Sequence, residues 1–489
     1  MFCGVALAWA AAAATEDDRT VVKSLTLNEC VARALANNLD IQIERLNPRI
    51  QSWNIVHEQG AFEPSWGIQV GYSDAWQPLD PETAASLHLT STVDKELRVR
   101  SEVTGRLPTG MQYDLSAFDT RYAGTLVTNF LFTGGAGISL TQPLLRNFGL
   151  DVNNAGIAVA RKGHHMAEQA FRQQVINSVT EVSSAYYELV YSLEDLKARQ
   201  EDLNRAKALL RENRKRVEAG VISPLDVTQT EAGVAEREEV VIVGEQVVRE
   251  NENVLKRLTS RDLTEWQNVA LVPADRALSE AVELDLIRST RTALETRPDF
   301  LQAKAEVERR GILVKYTHNQ LWPQIDLQGG FGLNGRGFTL NEFADDVRST
   351  DHPQWSVGVM VTVPLGNRQA RANYYSARLE EEKSVLALKR LEQNLVIDVD
   401  NAVRRVQTNL KRMDATHAAS RLAEASLKAE DTKLRAGTST SFLVLQAQAQ
   451  LAAARSAEIR ARADYSKSLV DLSRAEGTTL VRNKIRLAE

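Results

Sequence analysis

The chain has 489 residues, 59 Lys and Arg against 64 Asp and Glu, and a formal net charge of -5. That balance excludes the clustered basic excess of a nucleic-acid binder, and 43% hydrophobic residues exclude broad disorder. No internal stretch reaches the roughly 18 apolar residues that a transmembrane helix requires.

Residues 1–14, MFCGVALAWAAAAA, are an apolar run ending in small residues ahead of Glu16, Asp17 and Asp18. They predict a secretory signal peptide cleaved near Ala14, one without the usual basic start. Cleavage removes Cys3 and leaves Cys30 as a single thiol with no internal disulfide. Residues 27–61 read as helix from the spacing of Leu27, Val31, Ala34, Leu35, Ile41 and Ile43, with a kink expected at Pro48. After Pro64 the period becomes two: Trp66, Ile68, Val70 and Tyr72 alternate with Gly67, Gln69 and Gly71, as in a strand with one apolar face. Residues 77–92 read as a polar loop. Leu97–Leu107 and Gln112–Phe118 flank Pro108, Thr109 and Gly110 as a hairpin, and Gly137–Leu145 adds a strand.

From His164 to Ala219 there is neither Gly nor Pro, and Val175, Val179, Val182, Tyr186, Leu189, Leu193 and Leu196 step by threes and fours. That is a coiled-coil-like seam on a rod of ~100 Å. Gly220 stops it, Ser223 and Pro224 restart a helix, and the chain returns through 225–258. An irregular connection at 259–276 follows. Residues 277–321 read as helix interrupted at Pro298, with strands near Gln324–Leu333 and Trp355–Pro364 and a loop between them. A second rod runs from Arg368 to Ala436 with its seam at Leu395, Val399, Ala402, Val406, Leu410 and Met413; Gly437 turns it, and Phe442–Glu476 returns.

The two halves repeat. At one offset of 217, Ala219, Gly220, Val227, Gln229, Ala232 and Ala235 match Ala436, Gly437, Val444, Gln446, Ala449 and Ala452. ALANNLD at 34–40 and ALETRPD at 293–299 share a second offset, 259, which also maps Pro64 onto Pro323 and Gly71 onto Gly330. The organisation expected is a signal peptide at 1–14, a first repeat at 15–258, the connection at 259–276, a second repeat at 277–480 and a tail at 481–489. Units that leave an apolar stripe uncovered need neighbours, which favours an assembly over a catalyst.

Chemical motifs are sparse. Gly330, Gly332 and Gly335 fit a dinucleotide fingerprint, but a polar loop follows where a helix N-terminus would have to face the pyrophosphate. His164 and His165 diverge by about 100° on a helix, so they do not converge on a metal, and no carboxylate or Cys cluster joins them in sequence. No hydrolase, zinc-protease or phosphate-loop motif occurs; no enzyme activity, cofactor or metal is expected. Trp66, Trp76, Trp322, Trp355, Tyr72, Phe331 and Phe338 fall in the strand segments, as in membrane barrels that carry aromatics at both interfaces.

LTLNECVARALANN at 25–38, ALETRPDFLQAKAEVE at 293–308, the turns at 219–220 and 436–437, and LRAGTSTSFLVLQAQAQL with LVDLSRAEGTTL within 434–480 together resemble the TolC-like outer-membrane factor family. The resemblance implies a mainly α fold with membrane β: a long antiparallel coiled-coil α-barrel in the periplasm and a transmembrane β-barrel, shared by a homotrimer. It implies an exit duct in the outer membrane, serving a tripartite efflux pump or a type I protein secretion system. The partners would be a periplasmic adaptor (membrane fusion) protein, an inner-membrane transporter and outer-membrane lipid, with no nucleic acid. A soluble periplasmic coiled-coil scaffold is the rival from another class. The family pattern has two strands per half, so the 97–118 hairpin is extra; it could extend the barrel strands, cap the mouth or add to the barrel.

The resemblance places both turns at a periplasmic tip, with Gly220, Val221, Ile222 and Ser223, and Gly437, Thr438, Ser439 and Thr440, available to a partner. Relatives often carry a ring of carboxylates just after the second turn. Here the matching positions are Leu443 and Gln446, Ser439 replaces the usual basic residue, and the first-half copy holds Asp226. The expected gate is closed by packing and neutral hydrogen bonds around Leu443 and Gln446, with weak block by multivalent cations, unless Asp226 faces the lumen.

Overall fold

The computed structural model describes residues 21–125, 127–266, 268–275 and 284–487; the signal-peptide expectation and Cys3 lie outside them. In chain order, β1 (Val21–Leu25) leads to α1 (Leu27–Asn37) and α2 (Leu39–Gln59), then β2 (Ser65–Pro78), α3 (Pro81–Leu87), β3 (Ser91–Arg106), β4 (Gln112–Gly124) and β5 (Val127–Pro143). A short α4 (Leu150–Asn153) precedes the long α5 (Ala155–Glu218), and α6 (Pro224–Thr259) returns. The order continues with β6 (Val269–Pro273), α7 (Leu286–Thr296), α8 (Pro298–Asn319), β7 (Gln324–Gly337), α9 (Leu340–Ser349), β8 (Pro353–Thr362), α10 (Arg368–Arg435), α11 (Ser441–Glu476) and α12 (Thr479–Arg482). The chain divides into two compact units. One comprises the chain up to Arg45, Ala170–Asp299 and Leu391–Glu489; the other comprises Leu46–Gln169 and Phe300–Arg390.

The second unit holds a six-stranded sheet in the order β2-β3-β4-β5-β7-β8, every neighbouring pair antiparallel. The extra hairpin, β3 and β4, lies within this sheet and separates β2 from β5. Two segments read as loops are helical between strands. Asp80 caps α3 by accepting a hydrogen bond from Thr83 N at 3.0 Å, with Pro81 in the first turn, and Thr339 caps α9 by accepting from Glu342 N at 3.2 Å. Such short helices depend on their caps, and their polar composition hides them from a periodicity reading. At the base of the sheet, Arg146 Nε donates to Gln320 Oε1 at 2.9 Å and Gln320 Nε2 to Asn147 Oδ1 at 2.7 Å, which ties the end of β5 to the end of α8.

The first unit is mainly helical, with one core built on the α5 seam. Val175, Val179, Val182, Tyr186 and Leu189 of the α5 seam are buried with Cys30, Val31, Ala34, Leu255, Leu258 and Leu271. On α10 the buried line is Leu395, Val399, Val403, Val406 and Met413; Val403 takes the place expected for Ala402, because steps of four and three keep one face inward. Ile242, Leu386, Ile397 and Leu422 remain exposed apolar residues on α6 and α10. The connection at 259–276 is not wholly irregular: β6 pairs in parallel with β1 over five residues. The helical run breaks at Asn38, whose Oδ1 accepts from Asp40 N and Ile41 N while its Nδ2 donates to Leu258 O. The side chain thus caps α2 and fixes it to α6, and Pro48 sits inside α2.

Cys30 has no exposed surface, and burial pushes its thiol up to about 12. Thiolate is the reactive form, so the folded protein should not react with a thiol reagent at neutral pH until it is denatured. A Cys30 that labels rapidly in the native state would contradict this core.

Candidate functional site at the two helix turns

Both long helices end in the same backbone motif. Gly220 has φ +72, its N–H donates to Val217 O at 2.9 Å, and Val221 N donates to Arg216 O at 2.8 Å. Gly437 has φ +75, with Gly437 N to Leu434 O at 3.2 Å and Thr438 N to Lys433 O at 2.9 Å. These are Schellman closures, in which a left-handed residue satisfies the orphan carbonyls of the last turn and glycine adopts that conformation without a Cβ clash. The following helices restart differently. Ser223 Oγ accepts from Leu225 N at 3.2 Å, and the Asp226 carboxylate accepts from Ser223 N at 3.2 Å, a capping box with Pro224 at the first position. Thr440 Oγ1 accepts from Leu443 N at 3.4 Å and has no such reciprocal partner.

Gly220, Val221, Ser223, Gly437, Thr438 and Thr440 are exposed, and Ile222 is half-buried. Ser439 is tied back onto its own helix: its hydroxyl donates to Glu430 Oε1, and Lys433 Nζ lies 3.1 Å from Glu430 Oε2. The Ser439 bond, then Lys433, holds the Glu430 carboxyl below the usual carboxylate range. Among the expected gate residues, Leu443 and Gln446 are exposed on α11. Asp226 is half-buried, and one of its oxygens is committed to the capping box.

Two polar links near the turns escaped the sequence reading. Asn213, with no exposed surface, donates through Nδ2 to Thr230 Oγ1 at 2.9 Å and accepts from Ser441 Oγ at 3.0 Å. One side chain therefore joins α5, α6 and the start of α11. A signal was present: Asn213 continues the buried stripe of Ala206 and Leu209 at steps of three and four, where an apolar residue is the default. Arg237 of α6 donates from Nε to Asp202 Oδ2 at 2.7 Å, from Nη1 to Gly233 O at 2.9 Å and from Nη2 to Leu445 O at 3.5 Å. Leu445 lies between the two expected gate positions, so this guanidinium fixes the backbone that carries them. Leu209, Leu434 and Val444 pack beside these links.

Gly330, Gly332 and Gly335 lie within β7 and open no helix. His164 and His165 each lie near the Glu168 carboxylate, at 3.5 and 3.4 Å, because positions three and four residues on share their side of the helix. Among the described residues no group of three or more His, Cys, Asp or Glu is placed to hold a metal ion, and no helix is long and apolar enough to cross a membrane.

Comparison with known proteins gives this architecture a family. The outer membrane protein BepC of Brucella suis, described as an outer membrane efflux protein, is 24% identical over 465 residues, covering 93% of this chain and 86% of its own. TolC, an outer membrane protein of Vibrio cholerae, is 22% identical over 354 residues, covering 70% and 76%. The crystal structure of the CmeC outer membrane channel of Campylobacter jejuni superposes with a TM-score of 0.66 at 17% identity, covering 93% of this chain and 86% of that one, so the fold is shared. The sequence profile described as outer membrane efflux protein matches residues 111–261 and 290–478, well over half of the sequence and both helical turns, and the chain belongs to that family, the TolC-like one.

Proposed function

We propose that this chain is the outer-membrane exit duct of a tripartite efflux pump, passing small molecules from an inner-membrane transporter across the periplasm and outer membrane. In this reading three copies pool their sheets into one β-barrel and their helices into one periplasmic α-barrel. The helices of the two tandem halves, 15–258 and 277–480, form the α-barrel wall, and the two glycine turns form the end that meets a periplasmic adaptor.

One observation carries the reading. A single row across all six strands is apolar: Trp66, Val103, Leu115, Ile138, Phe331 and Trp355 are successive register partners. The adjacent row, on the opposite face, is Gly67, Glu102, Ser116, Gly137, Gly332 and Gln354. Trp66 and Trp355 are 69% and 74% exposed, so among the described residues nothing covers the two ends of this row. A sheet that is oily on one side and polar on the other suits lipid outside and water inside. Lipid also forbids open edges, because unpaired backbone groups find no water there, and six strands leave two edges. The apolar residues still exposed on α6 and α10 likewise call for neighbouring helices.

The test is assembly and location. Detergent-extracted protein should migrate near three times the 54.3 kDa chain mass, allowing for bound detergent, and should fractionate with the outer membrane. A soluble monomer in the periplasmic fraction would refute the duct and favour a scaffold.

A further inference from the structure

We propose that the β3–β4 hairpin is a structural part of the barrel wall, so that the trimer closes an eighteen-stranded barrel with a charged band on its water-facing side. This rests on the trimeric duct reading and goes beyond it, since the family pattern of two strands per half would give twelve.

The register supports the insertion. The hairpin pairs with β2 from Ser65 to Pro78 on one side and with β5 from Gln112 to Tyr122 on the other, so both strands carry full ladders. A hairpin that capped the mouth would leave β2 to pair with β5, and these two strands are not neighbours. The apolar face continues into the insertion: Leu97, Val99, Val103 and Leu115 share the face of Tyr72, Val70 and Trp66, and it gives way to charge only towards the far end of β4, where Asp119 and Arg121 stand opposite Val99 and Leu97. The turn of the hairpin is packed in place. Gly110 has φ +95, and a Cβ there would stand 2.3 Å from Asn147 O; Gly149 N donates to Thr109 O at 3.2 Å. With six antiparallel strands, the edges β2 and β8 run in opposite directions. The β2 edge of one copy can therefore pair antiparallel with the β8 edge of the next, continuing one alternating wall.

The inserted strands also change the lining. On the polar face β2 and β5 present mainly Gly, Ser, Thr and Gln, whereas β3 presents Glu96, Arg98, Arg100 and Glu102. Arg100 lies 2.8 Å from Glu102 and 3.7 Å from Asp114, and Arg98 lies 3.5 Å from Glu96. Charges in such pairs belong in a hydrated lumen. For strands about 4.8 Å apart and tilted by about 40°, eighteen strands give a backbone diameter of about 36 Å, against about 24 Å for twelve. A mouth of that width does not sieve small solutes, so selection of cargo falls to the helical part and its partners.

The test places single cysteines at Arg98, Ser116, Val99 and Leu115 and labels them with a membrane-impermeant maleimide in outer-membrane vesicles, Cys30 being shielded. Val99 and Leu115 are exposed in the isolated chain, so only lipid would hide them. The variants Arg98→Cys and Ser116→Cys should label about tenfold faster or more than Val99→Cys and Leu115→Cys, because water reaches one face alone. Equal labelling of all four in trimers would overturn the inserted hairpin and leave the duct reading standing. Loss of trimers in the unsubstituted protein would overturn the duct reading itself. A cross-section of the unsubstituted trimer by electron microscopy decides independently of any variant: eighteen strands support the proposal, and twelve with a detached hairpin refute it.

Discussion

Tryptophan at both Ser223 and Thr440 should abolish export while leaving trimers intact in the outer membrane. The two positions follow matching closures at Gly220 and Gly437, and both side chains are exposed, so bulk there meets a partner before it meets the protein's own core. Each residue is also a helix cap, and a replacement with no capping oxygen, such as Ala or Trp, costs about 1 kcal/mol. The control is the double alanine variant, which loses both caps and adds no bulk. Export measured as resistance to a pump substrate should survive in the alanine variant and disappear in the tryptophan variant. Equal loss in both would assign the effect to the caps, and normal export in both would count against docking at the turns.

The parts legible in the sequence are those written as period or punctuation. The α5 seam shows as Val175, Val179, Val182 and Tyr186, the turns as Gly220 and Gly437, and the apolar strand face as Trp66, Ile68, Val70 and Tyr72. What the sequence hid depends on partners distant in the chain. The β1 and β6 strands are five residues each and pair with each other, 248 residues apart at Val21 and Val269. Asn38 breaks a helix at a place where Pro48 is the louder signal, because Leu258 O is there to accept its amide. The hairpin's place in the sheet needed the register with β5, which no local pattern encodes. Asp226 is a local case. It enters the expected gate only if its side chain faces the lumen, and the capping box with Ser223 engages one of its oxygens.

Replacing Arg237 with methionine should destabilise the helical part and loosen the entrance together. The Arg237 and Asp202 side chains are only 12% and 8% exposed, and their contact at 2.7 Å is a buried pair. Removing one member of such a pair strands the other charge away from water, typically a loss of roughly 3–5 kcal/mol. Arg237→Met should therefore lower the melting temperature of the trimer, and adding Asp202→Leu should restore most of it, since the stranded carboxylate is then gone. The functional effect separates from the stability effect. The same guanidinium reaches Leu445 O at 3.5 Å, next to Leu443 and Gln446, so its loss removes one of the ties between that turn of α11 and α6 in the single and the double variant alike. Both variants should show higher single-channel conductance, or greater sensitivity to a large hydrophilic antibiotic, than the unsubstituted protein. Arg237→Lys keeps a charge near Asp202 but lacks the planar fork that spans three acceptors, so it should stay close to native stability and still leak. A double variant that regains stability and conducts like the original would refute the link between Arg237 and the entrance. A single variant that melts like the original would show that the buried pair contributes nothing measurable.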